Sequence, residues 1–240
     1  MKKAFAFTLA ETLIVIGVIG IVSALTLPNL NSSTGDKERV AKVKKIYQNL
    51  QDAFGRAEAV YVPFEEWFKS SDDSRQRTIR TGERISEFMK ISKICGIESN
   101  GCFKNANYHR LNNSETERNI ETNDKYYKLI LADGSSVAIS AARDEEVDAT
   151  LSIFVDIDGF KGPHTFGKDL FVFGYVENQG VMPSGYGLSF STLISNLKNG
   201  GLRAASWIIQ YDNADYLQFT NNTGKCKNGN TVTEANPRCK

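Results

Sequence analysis

Phe7-Thr8-Leu9-Ala10-Glu11-Thr12-Leu13-Ile14-Val15-Ile16-Gly17-Val18-Ile19-Gly20-Ile21-Val22-Ser23-Ala24-Leu25-Thr26-Leu27 is a run of 21 residues that carries a single charged side chain, Glu11. Wound as an α-helix at about 1.5 Å per residue it is roughly 31 Å long, which matches the roughly 30 Å hydrocarbon core of a bilayer. Lys2 and Lys3 precede it with no acidic neighbour, and that bias places the N-terminus on the cytoplasmic side and the chain after Pro28 across the membrane. A secretory signal peptide cut near Ala24 would show the same basic start and apolar run. Glu11 argues against it, because a carboxylate inside a span costs about 2.5 to 3.5 kcal/mol at its centre and less toward an end.

These residues resemble the start of the type IV pilin-like proteins, which include the pilins and the pseudopilins of type II secretion systems. The likeness lies in Lys2-Lys3-Ala4-Phe5-Ala6, then Phe7-Thr8-Leu9-Ala10-Glu11, then an unbroken apolar helix. It covers about 25 of the 240 residues. Ala6 stands where the family usually has Gly, and Ala10 where a larger aliphatic is common. The resemblance implies that a prepilin peptidase cuts between Ala6 and Phe7 and methylates the new amine, and that Pro28 sits where such helices often kink. It implies an α+β, pilin-like fold with a long N-terminal α-helix, membrane-embedded in its first half, packed on an antiparallel β-sheet. It also implies a single-pass inner-membrane location with the head outside the cytoplasm, and assembly into a periplasmic or cell-surface filament. Partners on this reading are the peptidase, other pilin or pseudopilin subunits, the inner-membrane assembly platform and membrane lipid.

Glu11 then has a role. Cleavage exposes a cationic amine on Phe7, and neither that amine nor the Glu11 carboxylate is cheap in an apolar setting by itself. Pairing Glu11 with the Phe7 amine of a neighbouring subunit neutralises both. A plainer account has Glu11 snorkelling to the interface, four residues from the mature end. Loss of Lys2 and Lys3 on cleavage takes the formal side-chain charge from +1 to −1.

The domain reading that follows is a leader over 1–6, an assembly helix over 7–28, its amphipathic continuation over 29–58 and a globular head over 59–240. Asn29 to Gly35 is uncharged and rich in weak helix formers, which predicts a kink or a short unwound stretch. Val40, Val43, Tyr47, Leu50, Phe54 and Ala57 then recur at helical spacing, opposite Lys42, Lys44, Lys45, Gln48, Gln51 and Asp52. Thr34 or Asp36 is the candidate cap. Lys37, Arg39, Lys42, Lys44 and Lys45 form a basic cluster, read as a solvated helix face rather than a nucleic-acid contact.

In the head, partial helical spacing over Ser74 to Ile91 predicts a second helix. Tyr126 to Ala132 and Ser135 to Ser140 flank Asp133-Gly134, a hairpin signal of the type I′ kind. Thr150 to Ile157 alternates Leu151, Ile153, Val155 and Ile157 against Ser152, Phe154 and Asp156, and Leu170 to Tyr175 is a further strand. Trp207 to Tyr211 reads equally as strand or helix. Together these describe an antiparallel sheet against one long helix.

Asp156-Ile157-Asp158-Gly159-Phe160-Lys161-Gly162-Pro163-His164-Thr165-Phe166-Gly167-Lys168-Asp169 is the most distinctive segment of the head. Asp156, Asp158 and Asp169 offer hard oxygen ligands beside glycines, as a calcium loop would. The EF-hand spacing fails, with Phe160 and Lys161 at ligand and glycine positions, so a tight connection between strands is the commoner reading. Beyond that calcium question no cofactor is indicated.

Cys95, Cys102, Cys226 and Cys239 are an even set in a chain read as exported, where disulfides persist. Three connectivities exist. Pairing by proximity joins Cys95 to Cys102 and Cys226 to Cys239, and the second would resemble the disulfide-closed C-terminal loop of many pilins. A four-cysteine zinc site lacks the short gaps it needs. His109 and His164 are the only histidines, and neither lies in a nucleophile motif, nor does a phosphate-cradling loop occur, so no enzymatic reading is supported.

With 29 Lys plus Arg against 28 Asp plus Glu, the formal charge of +1 marks no nucleic-acid partner. The function expected is a non-catalytic filament subunit, of the minor kind given the size of the head. A membrane-anchored or secreted periplasmic or surface binding protein is the alternative.

Overall fold

The computed structural model describes residues 9–141 and 151–239; the side chains at 11, 22–34 and 199 lie outside the described set. The chain divides into two units, Met1–Glu38 and Arg39–Lys240. Helix α1 (Leu9–Tyr61) contributes to both. It is helical through Pro28 and residues 29–35, without the unwound stretch expected there.

In the first unit, Leu9, Leu13, Ile14, Val15, Ile16, Val18, Ile19 and Ile21 are all more than half exposed. Four of them are consecutive, so apolar surface faces outward around the whole circumference of the helix. Nothing lies within 4 Å of where a side chain at Gly17 or Gly20 would sit.

Two expectations are corrected by this region. Among the described residues no helix is long and apolar enough to cross a membrane. The pilin-like fold class with a membrane-embedded first half therefore does not stand, and neither does the single-pass inner-membrane location built on it.

The second unit begins with the amphipathic part of α1. Val40, Val43, Ile46, Leu50, Ala53, Phe54 and Ala57 are buried, while Tyr47 packs against this core half-buried. A 3₁₀ turn (Phe64–Trp67) and helix α2 (Ser74–Ser86) follow. Helix α2 is started by Asp73, whose side chain accepts from the Gln76 amide while the Gln76 side chain accepts from the Asp73 amide.

Among the described residues six strands then form one antiparallel sheet in simple chain order: β1 (Ile91–Gly96), β2 (Tyr127–Leu131), β3 (Ser136–Ser140), β4 (Leu151–Asp156), β5 (Leu170–Val176) and β6 (Gly180–Pro183). Helices α3 (Phe190–Asn199) and α4 (Ala204–Tyr211) and a 3₁₀ turn (Asp215–Gln218) complete the fold. The ambiguous run at Trp207 is thus helical. At the β2–β3 connection only Gly134 has positive φ, +87°, and its amide bonds to the Leu131 carbonyl at 3.0 Å. The turn is therefore one closed by a single left-handed glycine, not the type I′ pair expected from Asp133-Gly134.

The sheet is covered on both faces, where a single helix layer was expected. Leu129, Val137, Ile139, Ile153, Val155, Phe171 and Phe173 share a core with α1, α3 and α4. On the other face Ala138, Phe154, Leu170 and Val172 join Cys102, Phe103, Tyr108, Ile120 and Tyr126. These last five come from the connection between β1 and β2. Alternation alone puts Phe154 on a polar face, yet it is fully buried under this layer.

Candidate functional site

The β4–β5 connection leaves the sheet at Asp156 and returns at Leu170, which pair across the ladder. That register brings the Asp156 and Asp169 side chains together, both wholly buried. The Ile157 amide bonds to the Asp169 carbonyl at 2.9 Å and closes the base of the loop. The Asp169 carboxylate accepts from the amides of His164 (2.5 Å), Thr165 (2.5 Å) and Leu170 (3.1 Å). Asp156 accepts from the Tyr108 hydroxyl at 2.7 Å and the Asp158 amide at 3.1 Å.

His164 is the third member. Its Nδ1 lies 3.7 Å from Asp156 Oδ2, too long for a hydrogen bond, and that nitrogen is buried with no hydrogen-bond partner. One carboxylate oxygen each from Asp156 and Asp169 and a ring nitrogen of His164 all fall within 4.8 Å of one another. The loop is held in place from its far side by the strand-like pairing of His109, whose amide bonds to the His164 carbonyl at 2.9 Å and whose carbonyl accepts the Phe166 amide at 2.9 Å. The Tyr108 ring meets the His164 ring edge-on, with centroids 5.7 Å apart.

Burial governs the electrostatics here. It pushes the Asp156 carboxyl up to about 8, with the Asp169 charge adding to the rise and the Tyr108 hydrogen bond opposing it. Burial likewise raises Asp169. The Tyr108 hydroxyl is raised by burial and then by the neighbouring Asp156 charge.

The structure brings together two of the three aspartates singled out in the sequence. Asp156 and Asp169 meet, but Asp158 does not join them: it forms an ion pair with Lys42 Nζ at 2.8 Å, toward α1. His164 takes the third place instead. It lies inside the segment singled out for its aspartates, and the turn at Pro163-His164 is what folds it back onto them. Arg39 Nε also donates to the Lys168 carbonyl at 2.6 Å, so α1 grips the connection near both ends.

The basic cluster on α1 is largely used in this way. Lys42, Lys44 and Lys45 pair with Asp158, Asp212 and Asp133 at 2.8, 2.7 and 3.0 Å. Two disulfides are present: Cys95–Cys102, with Cα atoms 6.1 Å apart, and Cys226–Cys239, at 5.7 Å. Beside the first, Lys128 is wholly buried, and its ammonium donates to the carbonyls of Ile97 (3.2 Å), Glu121 (2.8 Å) and Asn123 (3.2 Å). The Glu121 carboxylate accepts the amides of Gly101, Cys102 and Phe103 at 2.6, 3.2 and 2.8 Å. These two residues organise the layer over the outer sheet face.

Of the residues expected to act in processing and assembly, Ala6 and Phe7 lie outside the described residues, as does the Glu11 side chain. Pro28 falls within α1. No family model, no curated protein and no solved structure matches the chain.

Proposed function

We propose that the chain is a non-catalytic structural subunit of a filament of the type IV pilus or type II secretion kind, trimmed by a prepilin peptidase between Ala6 and Phe7. The observation that carries this reading is the division of labour along α1. Residues Val40 to Ala57 are committed to the core of the head, whereas the large apolar side chains described between Leu9 and Ile21 are exposed on every side of the helix. A continuous apolar helix surface of this kind is costly in water, and packing against copies of itself removes that cost. The reading rests on the N-terminal sequence and on this exposed surface, and on neither the fold class nor the membrane location corrected above.

In a bundle of such helices Glu11 supplies register. An unpaired carboxylate among Leu and Ile side chains is strongly unfavourable, and the Phe7 amine of an adjacent subunit neutralises it at one axial offset only. The deciding experiment is mass spectrometry of the mature N-terminus. Loss of residues 1–6 with N-methylated Phe7 is the expected result, and an intact Met1 or a cut near Ala24 would refute it. Glu11→Ala is expected to leave the head folded, with unchanged circular dichroism, and to abolish incorporation into filaments.

A further inference from the structure

We propose that Asp156, His164 and Asp169 form a binding site for a divalent transition ion of the zinc or manganese class, and that this ion pins the β4–β5 connection to the end of the sheet. Three observations combine. The first is the convergence of two oxygens and one nitrogen within 4.8 Å. The second is the His164 Nδ1 atom, which is removed from solvent, has no hydrogen-bond partner and faces Asp156 Oδ2. A neutral imidazole with its proton on Nε2 presents a lone pair there, which is the form that ligates metals.

The third observation is charge. Two wholly buried carboxylates face each other, and no lysine or arginine forms an ion pair with either among the described residues. The Tyr108 hydroxyl and the main-chain amides satisfy hydrogen bonding but bring no formal positive charge. Carboxyl ligands give up any proton they hold as a metal binds, and a divalent ion would then balance both buried carboxylates at once.

The ligand set selects the class of ion. Zinc takes His nitrogen and carboxylate oxygen at about 2.0 to 2.2 Å, with water completing the shell. Tetrahedral ligands at that distance lie about 3.3 Å apart, so the 3.7 Å between Nδ1 and Oδ2 closes with a shift of a few tenths of an ångström. Asp169 moves further, through its Oδ2, which accepts only the His164 amide and keeps a lone pair. Calcium is disfavoured, since it takes six to eight oxygens, whereas this set holds a nitrogen and Asp158 is engaged by Lys42. Tyr108, bonded to Asp156, orients that ligand from behind.

The test uses the full-length protein stripped with EDTA and titrated by calorimetry and thermal melting with zinc, manganese, calcium and magnesium chlorides. One equivalent of zinc or manganese, bound at least tenfold more tightly than calcium and raising the melting temperature, is expected. Cobalt(II) loading should give a visible d–d spectrum that is lost in His164→Ala. Asp156→Asn should weaken binding at least tenfold; since it alters a buried residue, His164→Ala, a partly exposed position, provides the independent reading. His109→Ala should bind as the wild type does, because only the His109 main chain supports the loop. An absence of zinc and manganese binding, an equal response to calcium, unchanged binding by His164→Ala, or loss of binding in His109→Ala would each overturn the proposal.

Discussion

Replacing Glu121 by alanine should be the most damaging single change to the layer that covers the outer face of the sheet, and its size can be worked from three hydrogen bonds. Glu121 is 4% exposed, and its carboxylate collects consecutive amides: Gly101 on Oε1, and Cys102 and Phe103 on Oε2. Alanine leaves the Cys102 and Phe103 amides buried without acceptors, at about 1 to 3 kcal/mol each. The Gly101 amide is nearer solvent and can take water, so its loss is about 0.5 to 1.5 kcal/mol. Relief from burying a carboxylate offsets part of this. The balance is a destabilisation of about 3 to 5 kcal/mol.

Glutamine separates the contributions. With its carbonyl in the Oε2 position it keeps both buried amides and sacrifices only the bond to Gly101, at about 0.5 to 1.5 kcal/mol. In urea, with a slope of about 2 kcal/mol per M, the midpoint should fall by about 1.5 to 2.5 M for Glu121→Ala and by less than about 1 M for Glu121→Gln. An alanine variant within about 1 kcal/mol of wild type, or a glutamine variant as unstable as alanine, would show that this carboxylate does not hold the layer.

Other outcomes follow from the same physical reasoning. Gly82→Ala improves helix propensity by about 1 kcal/mol, but its Cβ would lie 2.1 Å from Tyr127 Cγ; we expect a net loss of about 1 to 3 kcal/mol by chemical denaturation, and a stabilised variant would contradict the close packing of α2 on β2. Removing one bridge at a time by double Cys→Ser substitution should cost about 2.5 kcal/mol for Cys95–Cys102 and about 3 kcal/mol for Cys226–Cys239, from their separations of 7 and 13 residues, with equal thermal stability of variant and wild type as the refuting result. Burial lowers the Lys128 ammonium below its ordinary 10.5. Between that lowered value and 10.5 the unfolded chain binds the proton more than the folded one, so wild-type stability should gain on Lys128→Met as pH rises through this window. A gap between the two proteins that stays constant from pH 8 to 10 would count against it.

What sequence reasoning could reach depended on how regular the burial is. The α1 stripe from Val40 to Ala57 repeats at helical spacing because one face of a long helix meets one sheet, and β4 and β5 stand out because their side chains are almost all apolar. Strand β1 was invisible: Ser92, Lys93 and Ile94 are exposed at a sheet edge, so no alternation survives. The run at Trp207 was too short to choose between periods; burial on several sides of α4 removes the polar face that would have decided it. The outer layer left no pattern at all, since Phe103, Tyr108, Ile120 and Tyr126 reach the same cluster from an irregular connection.

The candidate site shows the same division. Asp156 and Asp169 were found because carboxylates beside glycines suggest a cation loop. That His164 converges with them, while Asp158 turns to Lys42, is not legible in the sequence, because which side chains meet depends on the loop's path between Asp158 and Thr165. That path is set by tertiary pairing with His109, fifty-five residues upstream. The apolar N-terminal run posed the opposite difficulty: its length in the sequence suggested a bilayer span, while the described helix residues do not provide one.

The plain order of the sheet bears on how the molecule comes together. Each strand pairs with its neighbour in the chain, so every rung of the ladder closes a comparatively short loop, with the least entropy to overcome. Helix α1 reaches the same sheet over separations of 117 residues from Glu58 to Tyr175 and 135 from Tyr47 to Met182. Helix α1, which precedes all six strands in the chain, therefore has to wait for the last of them before its apolar stripe is covered. A nascent chain interrupted before β5 would hold both an unclad helix and an unclad sheet, and that interval, rather than strand registration, is where aggregation would compete with folding.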